Sequence, residues 1–517
     1  MRFLRFVVAL ALVVVIVGIA IFTMRVLYPL PELEGRSEST HLQPSAETPL
    51  GKALLPATEA HPGQSGIWPL ADGREAFAAR ILLARRAQQS IDVQYYIWQT
   101  DTTGWILLDE LRQAAERGVR VRMLLDDNGI PGLDAELAAL NALPDVEIRI
   151  FNPFTLRSPK ILSYAFDFPR LNHRMHNKSM TVDGAATVVG GRNIGDIYFD
   201  YGNGVHYFDA DVLAVGPIAA EVEGAFDEYW SSGSSYPAET ILPDAPDGME
   251  SLLAHAQQAR ETAVGSDYAQ AVADTQLVQR LEAGTLEFEW GEVSLFYDDP
   301  AKGLGEAEAD ALLISHILEL AQPAKSFDLV SAYFIPGDAG TEILNGFVES
   351  GVKTRVLTNA LAATDVPPVH SAYMRYRGDL VDGGVDVLEL RPQADRVKER
   401  DLSSMIVGSA SSLHAKTFTI DGERIFVGSF NFDPRSAQLN TEMGLLIPSA
   451  AMAQALGQVL DDPRQFYVIE RDQDGELVWI ETAEDGTVTT LHHEPETGAF
   501  KRGLVRFMSW LPIEWLL

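Results

Sequence analysis

The sequence contains no cysteine and comparatively few basic residues. The absence of cysteine among its 517 residues excludes disulfide bonds, zinc sites with thiolate ligands and cysteine nucleophiles. Lysine and arginine number 40 against 73 aspartate and glutamate residues, so the formal net charge is −33. This charge provides no long-range attraction to a phosphate backbone, which argues against a protein that reads nucleic-acid sequence. A small basic pocket inside an acidic surface remains compatible with it.

The longest apolar run lies at the N-terminus. It extends from Phe6 to Thr23, and as a helix these 18 residues measure about 27 Å, close to the roughly 30 Å of a bilayer core. The length of the run, and the lack of a small-residue cleavage site after Arg25, favour a retained membrane anchor over a cleaved signal peptide. Arg2 and Arg5 predict a cytoplasmic N-terminus with the rest of the chain outside, a bias that Arg25 weakens.

The body of the chain repeats itself. Residues 176–184 and 414–422 share the pattern His-x-Lys-x4-Asp-Gly, and each copy is followed by an apolar strand that ends in Gly-x-x-Asn. The copies are offset by 238 residues at every one of these positions, which are His176, Lys178, Asp183 and Asn193, then His414, Lys416, Asp421 and Asn431. A strand, a helix and a second strand precede each copy, and Gly118 and Gly351 are predicted to mark the C-termini of these helices. We therefore predict two pseudo-symmetric α/β lobes with parallel strands and helices on the sheet faces.

These patterns divide the chain into six segments. We predict an anchor at 1–27, a tether at 28–66, a first lobe at 67–242, a helical acidic insertion at 243–292, a second lobe at 293–449 and a C-terminal extension at 450–517. The tether is rich in Pro, Ser, Thr and Glu and lacks periodicity, which is typical of a linker. The apolar end of the extension is predicted to pack on the body or to lie at a membrane surface, and packing is favoured.

The repeated motif contains the groups that phosphoryl transfer requires. Residues i and i+2 of a strand share a face, so each histidine projects together with its lysine. Attack on a phosphodiester needs a nucleophile, a proton donor for the leaving alkoxide and cations around the nonbridging oxygens. One imidazole can form a covalent phosphohistidine while the other acts first as an acid and then as a base. The lysines, with Asn193 and Asn431, can bind the phosphoryl oxygens, and each motif aspartate can hold the backbone at the strand end.

Other polar and aromatic residues have less specific interpretations. Because no carboxylate cluster requires a metal ion, we predict neither a metal nor a cofactor. Asp126 and Asp127 resemble a metal-binding pair, but they precede Asn-Gly, which is typical of a turn and helix cap. Three aromatic residues of one strand, Tyr95, Tyr96 and Trp98, are predicted to lie in the core rather than in a lipid-entry groove. Arg174 is expected either to touch a lipid headgroup or to form a surface salt bridge. His173 is predicted to be solvated, and residues 398–401 to form an exposed loop.

The two motifs resemble those of the phospholipase D superfamily, and the chain is similar to bacterial cardiolipin synthases of the C-type branch. The resemblance extends from residue 61 to residue 514 and includes residues 94–98, 124–128, 174–178 and 190–195. It implies that the catalytic residues are His176, Lys178, Asp183, His414, Lys416 and Asp421. It also implies that acids on neighbouring strands orient the two histidines. Asp209 and Glu442 occupy the matching positions, and Asp211 is a less favoured alternative to Asp209.

The resemblance implies an activity as well as a fold. A phosphatidyl group would be transferred to phosphatidylglycerol to form cardiolipin, from either phosphatidylethanolamine or a second phosphatidylglycerol, at the bacterial inner membrane. Which histidine is the nucleophile stays open. A hydrolase that cleaves phospholipid is the main alternative, and a nuclease is disfavoured by the charge and the anchor. A membrane scaffold without catalysis would have no need of two matched histidine–lysine pairs.

Overall fold

The computed structural model describes residues 2–201, 206–262, 269, 273–283, 285–392 and 412–517. Within these residues the chain forms an N-terminal apolar helix followed by two α/β lobes, each built around one large sheet. The predicted fold class is therefore confirmed. The loop predicted at residues 398–401 lies outside the described residues.

The first lobe contains a sheet with a parallel centre and antiparallel edges. The strands up to the link between the lobes are β1 (Ser65–Leu70), β2 (Ser90–Tyr95), β3 (Arg120–Asp126), β4 (Val146–Phe151), β5 (Ser179–Val182), β6 (Ala186–Gly190), β7 (Tyr207–Phe208), β8 (Asp211–Val215), β9 (Ser235–Pro237) and β10 (Glu289–Gly291). All of these strands except β7 form one sheet, in the order β10-β1-β8-β6-β5-β2-β3-β4-β9. Strands β2, β3 and β4 run parallel, as the strand–helix–strand pattern predicts, and β5 lies antiparallel to β2.

The second lobe repeats this arrangement. Its strands are β11 (Ser294–Tyr297), β12 (Ser326–Ser331), β13 (Lys353–Asn359), β14 (Asp386–Leu390), β15 (Ser412–Leu413), β16 (Lys416–Ile420), β17 (Arg424–Gly428), β18 (Met443–Ile447), β19 (Phe466–Arg471), β20 (Leu477–Thr482) and β21 (Val488–Leu491). The sheet order is β11-β18-β17-β16-β12-β13-β14-β19-β20-β21. Strand β15 instead pairs in parallel with β7 of the first lobe, so a short two-stranded sheet bridges the lobes.

Helices cover the faces of both sheets. The first lobe and its N-terminal extension contain α1 (Arg2–Leu27), α2 (Pro49–Ala60), α3 (Gly73–Arg86), α4 (Thr102–Glu116), α5 (Asp134–Asn141), α6 (Tyr164–Leu171), α7 (Pro217–Ser231), α8 (Ala238–Ile241), α9 (Gly248–Glu261) and α10 (Gln276–Ala283). The second lobe contains α11 (Leu313–Leu320), α12 (Gly337–Glu349), α13 (Pro367–Tyr373), α14 (Arg377–Asp382), α15 (Pro434–Gln438), α16 (Ala450–Leu460) and α17 (Ala499–Met508).

Two equivalent glycines end the crossover helices of the two lobes. Gly118 follows α4 with φ of 86°, and Gly351 follows α12 with φ of 87°. Glycine adopts this left-handed conformation without the steric penalty that a Cβ brings, so the helix can end and the chain can turn into the next strand. The expectation that these glycines mark helix C-termini is confirmed.

The segment predicted as a tether is bound along the surface of the first lobe. Its residues 36–41 supply backbone carbonyls to arginines of the lobe: Arg122 Nη1 donates to Ser39 O at 2.9 Å, and Arg120 Nη1 donates to Thr40 O at 2.7 Å. The same region contributes α2 and the start of β1, so part of the predicted tether is folded against the first lobe. The segment binds here because partly buried guanidinium groups need hydrogen-bond acceptors, and the carbonyls of an extended chain outside any sheet are free to accept. Composition alone does not indicate such contacts, because they form only in the folded lobe.

The insertion and the C-terminal extension both belong to the lobes that they follow. Helix α9 packs against α4 and α5, and β10 completes the edge of the first sheet beside β1. Strand β19 pairs with β14, and β20 and β21 continue the second sheet. Residues of the predicted insertion and of the predicted extension therefore form part of the two lobes.

A shared apolar core holds the two lobes together. Side chains of the first lobe, including Val189, Val212 and Ile218, are buried in one cluster with Val427 and Leu445 of the second lobe. Because close-packed interiors resist displacement, this core fixes the position of one lobe relative to the other. Motif residues that come from different lobes can therefore form one rigid site.

Candidate active site

Each motif histidine is hydrogen-bonded through its backbone to the opposite lobe. The amide of His176 donates to Thr441 O at 2.9 Å, and the amide of His414 donates to Phe208 O at 2.7 Å. Thr441 and Phe208 immediately precede Glu442 and Asp209 in the sequence. The backbone contact therefore brings each imidazole beside an acid of the other lobe.

The first histidine pairs with Glu442. His176 Nδ1 lies 2.8 Å from Glu442 Oε2, and both side chains are buried. Ser429 Oγ donates to Oε2 at 2.5 Å, and Ser436 Oγ donates to Oε1 at 2.8 Å. These contacts fix the carboxylate, and with Nδ1 engaged, Nε2 is the ring nitrogen left for substrate.

A buried ion pair contacts the backbone of Glu442. The amide of Glu442 donates to Asp298 Oδ2 at 2.8 Å, and Lys302 Nζ donates to the same oxygen at 2.9 Å. Burial raises the pKa of Asp298 to about 6. Asp298 and Lys302 lie outside both motifs, and no motif spacing identifies them in the sequence.

The second histidine pairs with Asp209. His414 Nδ1 contacts Asp209 Oδ2, and Lys416 Nζ lies 2.9 Å from the same ring nitrogen. The alternative acid, Asp211, instead forms a 2.8 Å ion pair with the buried guanidinium of Arg80. The structure thus brings Asp209, rather than Asp211, to the imidazole.

The electrostatic environments of the two pairs differ. Burial raises the pKa of Glu442 to about 7, whereas Lys416 and His414 hold the pKa of Asp209 below its ordinary value although burial opposes them. Burial, reinforced by Lys178 and Lys416, lowers the pKa of His176 well below its ordinary value. Burial and Lys416 also lower the pKa of His414, but Asp209 acts in the opposite direction. Unequal surroundings give two identical side chains different proton affinities.

The motif lysines are buried and held beside the histidines. Lys178 Nζ donates to His176 O, and Lys416 Nζ donates to His414 O. Burial lowers the pKa of Lys178 to about 7 and lowers that of Lys416 as well. A phosphate group placed between these ammonium groups would compensate for the cost of their burial, which makes the pair suited to an anionic substrate.

The motif aspartates lie at the opposite end of the strand from the histidines. Asp183 accepts hydrogen bonds from the amides of Gln88, Gln89 and Ser90, at 2.7–3.1 Å. Asp421 accepts the equivalent bonds from Ala324, Lys325 and Ser326, at 2.7–3.2 Å. Both aspartates therefore join the motif strand to the start of its neighbour, and neither contacts the imidazoles.

The motif asparagines have different contacts in the two lobes. Asn193 Oδ1 accepts from the amide of Ile97, and Asn193 Nδ2 donates to Tyr198 Oη, both at 3.1 Å. Asn431 is buried, and its Oδ1 has no hydrogen-bond partner among the described residues. The predicted phosphate-binding role of both asparagines stays a prediction.

Tyrosines that the motifs do not contain surround the histidines. The ring of Tyr96 meets His176 edge-on at 5.0 Å and lies 5.6 Å from Lys178 Nζ. The rings of Tyr198 and Tyr207 lie 5.2 Å and 4.9 Å from His414. Tyr96 is therefore part of the site, whereas Tyr95 and Trp98 lie in the core as predicted. Tyr198 and Tyr207 were missed because their proximity to His414 arises only when the lobes pack together.

The remaining polar candidates take structural positions. Asp126 caps the turn at Asn128 and binds the guanidinium of Arg174 at 3.1 Å, so Arg174 forms a buried salt bridge rather than a surface one. Asp127 is held by Arg157 and Lys160. His173 is half-buried with Nδ1 3.1 Å from Leu439 O, which corrects the prediction that it is solvated.

One buried group in the described part of the chain has ligand types and spacing compatible with a metal ion. His370, Glu389 and Glu494 place their ligand atoms within 4.8 Å of one another. The guanidinium of Arg377 donates to both carboxylates, at 2.8 Å and 2.9 Å. The group is accordingly a salt-bridge network inside the second lobe, since its carboxylates already have a cation.

Known proteins share the sequence of both lobes. The sequence model of the family described as "Cardiolipin synthase, PLD-like domain" matches residues 81–230 and 314–462, one match in each lobe. Cardiolipin synthase C of Escherichia coli (strain K12) is 43% identical over 472 residues, which cover 90% of this chain and 99% of that protein. An uncharacterized protein of Helicobacter pylori is 31% identical over 473 residues, which cover 90% of this chain and 92% of that protein.

A solved structure shares the fold. The crystal structure of phosphatidylserine synthase from Haemophilus influenzae Rd KW20 superposes with a TM-score of 0.53 and 16% sequence identity. The match covers 87% of this chain and 95% of that protein. At this level of identity the likeness supports the two-lobed fold alone.

Proposed function

Because this chain belongs to the family of cardiolipin synthases with phospholipase D-like domains, we propose that its two lobes form one site that transfers a phosphatidyl group through a covalent phosphohistidine. The chain is a membrane-anchored phosphatidyltransferase that forms cardiolipin from phospholipid substrates such as phosphatidylglycerol. The observation that carries the mechanism is the exchange of acids between lobes, in which His176 pairs with Glu442 and His414 pairs with Asp209.

The difference between the two pairs supports an assignment of roles. The pKa of His176 is lowered strongly by burial, so its imidazole is neutral and Nε2 offers a lone pair to phosphorus. Burial and Lys416 also lower the pKa of His414, but less strongly than that of His176, because the negative charge of Asp209 opposes them. Of the two imidazoles, His414 is therefore better suited to hold the proton that a general acid requires. We assign His176 as the nucleophile and His414 as the proton donor and acceptor.

Two half-reactions follow from this assignment. In the first, His176 Nε2 bonds to the donor phosphorus, the bond to the headgroup oxygen breaks, and the proton of His414 passes to that oxygen. In the second, a glycerol hydroxyl of phosphatidylglycerol gives its proton to His414 as its oxygen attacks phosphorus. The phosphorus–nitrogen bond then breaks, and both histidines return to their starting states.

The other motif residues support these steps. Lys178 and Lys416 would hold the nonbridging oxygens and neutralise the charge that develops on them. Asn431 can add an amide donor, and Asn193 can share its second amide hydrogen while it positions Tyr198. Asp183 and Asp421 act as positioning residues, because they fix the strands that carry the two histidine–lysine pairs.

The donor lipid and the membrane side complete the proposal. Phosphatidylethanolamine or a second phosphatidylglycerol would supply the phosphatidyl group at the bacterial inner membrane. The N-terminal arginines favour an extracytoplasmic catalytic domain. The strongly acidic chain makes nucleic acid an unsuitable partner.

The activity can be tested with the full chain reconstituted in vesicles. The protein is incubated with isotopically labelled phosphatidylglycerol, with and without phosphatidylethanolamine, and the products are identified by mass. Labelled cardiolipin is the expected product, and the label pattern identifies the donor. Phosphatidic acid as the sole product would instead establish the hydrolase alternative, in which water takes the place of the lipid alcohol.

The assignment of the nucleophile predicts different bursts from two variants. The substrate for this test is a phosphatidyl p-nitrophenyl ester, whose leaving group needs no proton. His414→Asn is expected to release about one p-nitrophenol per enzyme and then stop, because no base is left to activate the alcohol or water that breaks down the phosphohistidine. His176→Asn should give no burst. A stopped-flow absorbance measurement distinguishes the two. A burst from His176→Asn would reverse the assignment, and a burst from neither variant would refute the covalent mechanism.

The pKa values predict a bell-shaped dependence of kcat/KM on pH. The ammonium of Lys178 is lost as pH rises through about 7, and the carboxylate of Glu442 is lost as pH falls through about 7. Activity that needs both charged forms should therefore be greatest near pH 7 and decline on either side. Lys178→Arg, which stays charged, should remove the contribution of Lys178 to the alkaline limb and leave the loss of the His414 proton as its cause. The profile is expected to persist in chelator; loss of activity that a divalent cation restores would contradict it.

A further inference from the structure

The C-terminal helix turns its apolar face away from the protein. Phe500, Leu504 and Phe507 of α17 occupy positions i, i+4 and i+7 and are 85%, 46% and 55% exposed. Residues at this spacing share one face of a helix, and in a surface helix that face ordinarily packs on the core. Trp510, just beyond the helix, is 76% exposed. We call Phe500, Leu504, Phe507 and Trp510 the C-terminal patch.

The opposite face of α17 holds the helix on the second lobe. Val505 is buried, and Lys501 Nζ donates to Leu361 O at 2.7 Å, while the helix packs against α13. The C-terminal patch is thus held in place by polar and apolar contacts on its reverse side. Contiguous exposed aromatic and aliphatic side chains of this kind mark interaction surfaces.

The charge of the C-terminal segment is opposite to that of the chain. Residues 497–513 contain Lys501, Arg502 and Arg506 and no acidic residue, although the whole sequence carries 73 acidic residues. An amphipathic helix with basic side chains and exposed Phe, Leu and Trp has the composition of helices that lie in the interface of an anionic bilayer.

A second exposed apolar patch lies beside the membrane anchor. Ile161 and Leu162 are 71% and 51% exposed, and only Ser163 separates them from α6. The end of α1 contacts α6, because Arg25 Nε donates to Phe166 O at 2.7 Å. We call Ile161 and Leu162 the lobe 1 patch. Its position near the end of a helix that crosses the membrane places it at the membrane surface.

Arg435 connects the chain segments that carry the two patches across the lobe boundary. Its guanidinium donates to Asn172 Oδ1 at 2.7 Å, at the end of α6, and to Leu516 O at 2.8 Å, in the C-terminal segment. In the first lobe, Tyr164 Oη donates to Asn128 Oδ1 at 3.4 Å, and Asn128 Nδ2 donates to Tyr96 Oη at 3.2 Å. Tyr96 contacts His176, so the same edge of the molecule leads to the active site.

We propose that the C-terminal patch and the lobe 1 patch insert together into the leaflet at which α1 ends, and that the occupant of this surface is an anionic phospholipid bilayer. The anchor alone would leave the catalytic body free to tilt. Contact at two further places, one from each lobe, holds the edge between the lobes against the lipid surface. This inference goes beyond the proposed reaction, and its test does not require turnover.

The absence of cysteine allows the proposal to be tested with single labels on the full chain. Leu504→Cys and Ile161→Cys, each labelled with an environment-sensitive fluorophore, are reconstituted in phosphatidylglycerol vesicles whose acyl chains carry quenchers. The matched control is Leu318→Cys, because Leu318 is also 46% exposed but lies on α11. It precedes Ala324 by six residues, and the amide of Ala324 donates to Asp421, at the end of the motif strand away from His414. We expect the fluorescence at positions 161 and 504 to fall to about half and that at 318 to stay unchanged.

Each other outcome has a defined meaning. Labels at 161 and 504 that respond to aqueous iodide but not to the acyl-chain quencher would overturn the proposal. A label at 504 that is shielded from both quenchers would identify a protein partner or a second copy of the chain instead of lipid. Quenching at 504 without quenching at 161 would refute joint insertion. In phosphatidylcholine vesicles the quenching at 504 should weaken, and equal quenching would refute the role of the basic residues.

Discussion

Replacement of either His176 or His414 by alanine is expected to lower cardiolipin formation by about 10⁴-fold or more. Each lobe supplies one imidazole to a single site, and neither histidine can take over the role of the other because their carboxylate partners and proton affinities differ. The measurement is the initial rate of cardiolipin formation from labelled phosphatidylglycerol in vesicles.

The folded state of both variants should be retained. The histidine side chains contact the site rather than the apolar core between the lobes, so the thermal unfolding temperature is expected to change little. His492→Ala, at an exposed position, serves as the control with unchanged rate. Substantial turnover by both single variants would refute a mechanism that needs two histidines.

Neutralising Glu442 or Asp209, the acid partners of the two histidines, is expected to cause the next largest losses of activity. Glu442→Gln and Asp209→Asn should each reduce the rate with natural lipid by about 10²–10⁴-fold, because an amide neither fixes the same imidazole tautomer nor stabilises its proton. Both substitutions keep nearly the same size, so packing losses should be small. The rate of cardiolipin formation and the unfolding temperature are measured for both variants.

The p-nitrophenyl ester separates the two acids by role. Glu442→Gln should slow the burst of p-nitrophenol, because Glu442 orients the nucleophile His176. Asp209→Asn should preserve the burst but slow the turnover that follows, because Asp209 supports the proton transfers of His414. The reverse pattern would show that the roles of the two lobes are exchanged. Asp211→Asn provides a control two residues away, since Asp211 binds Arg80 and its loss should reduce stability.

The repeat and the chemistry of the motif could be predicted from the sequence because both are local. The strand–helix–strand order, the glycines at positions 118 and 351 and the His-x-Lys spacing depend on residues close together in the chain. The structure shows the parallel strands that this order predicts. The apolar N-terminal run likewise predicts a helix long enough to cross a membrane.

Interactions between distant segments could not be predicted in the same way. The association of residues 36–41 with the first lobe depends on Arg120 and Arg122, whose need for hydrogen-bond acceptors becomes evident only in the fold. The contacts of Asp298 with Glu442 and Lys302 likewise cannot be predicted from motif spacing. The exposed face of α17 follows a normal amphipathic pattern, and only the packing reveals that its apolar side points outward.

The sequence by itself determined that this protein has two matched histidine–lysine motifs, a membrane anchor and the chemistry of phosphodiester attack. Tertiary structure decided which acid serves which histidine. His176 uses Glu442 and His414 uses Asp209, each from the other lobe, because the backbone contacts at Thr441 and Phe208 cross the boundary between lobes. Burial at that boundary then made the two histidines electrostatically unequal, and charge environments of this kind exist only after the chain has folded.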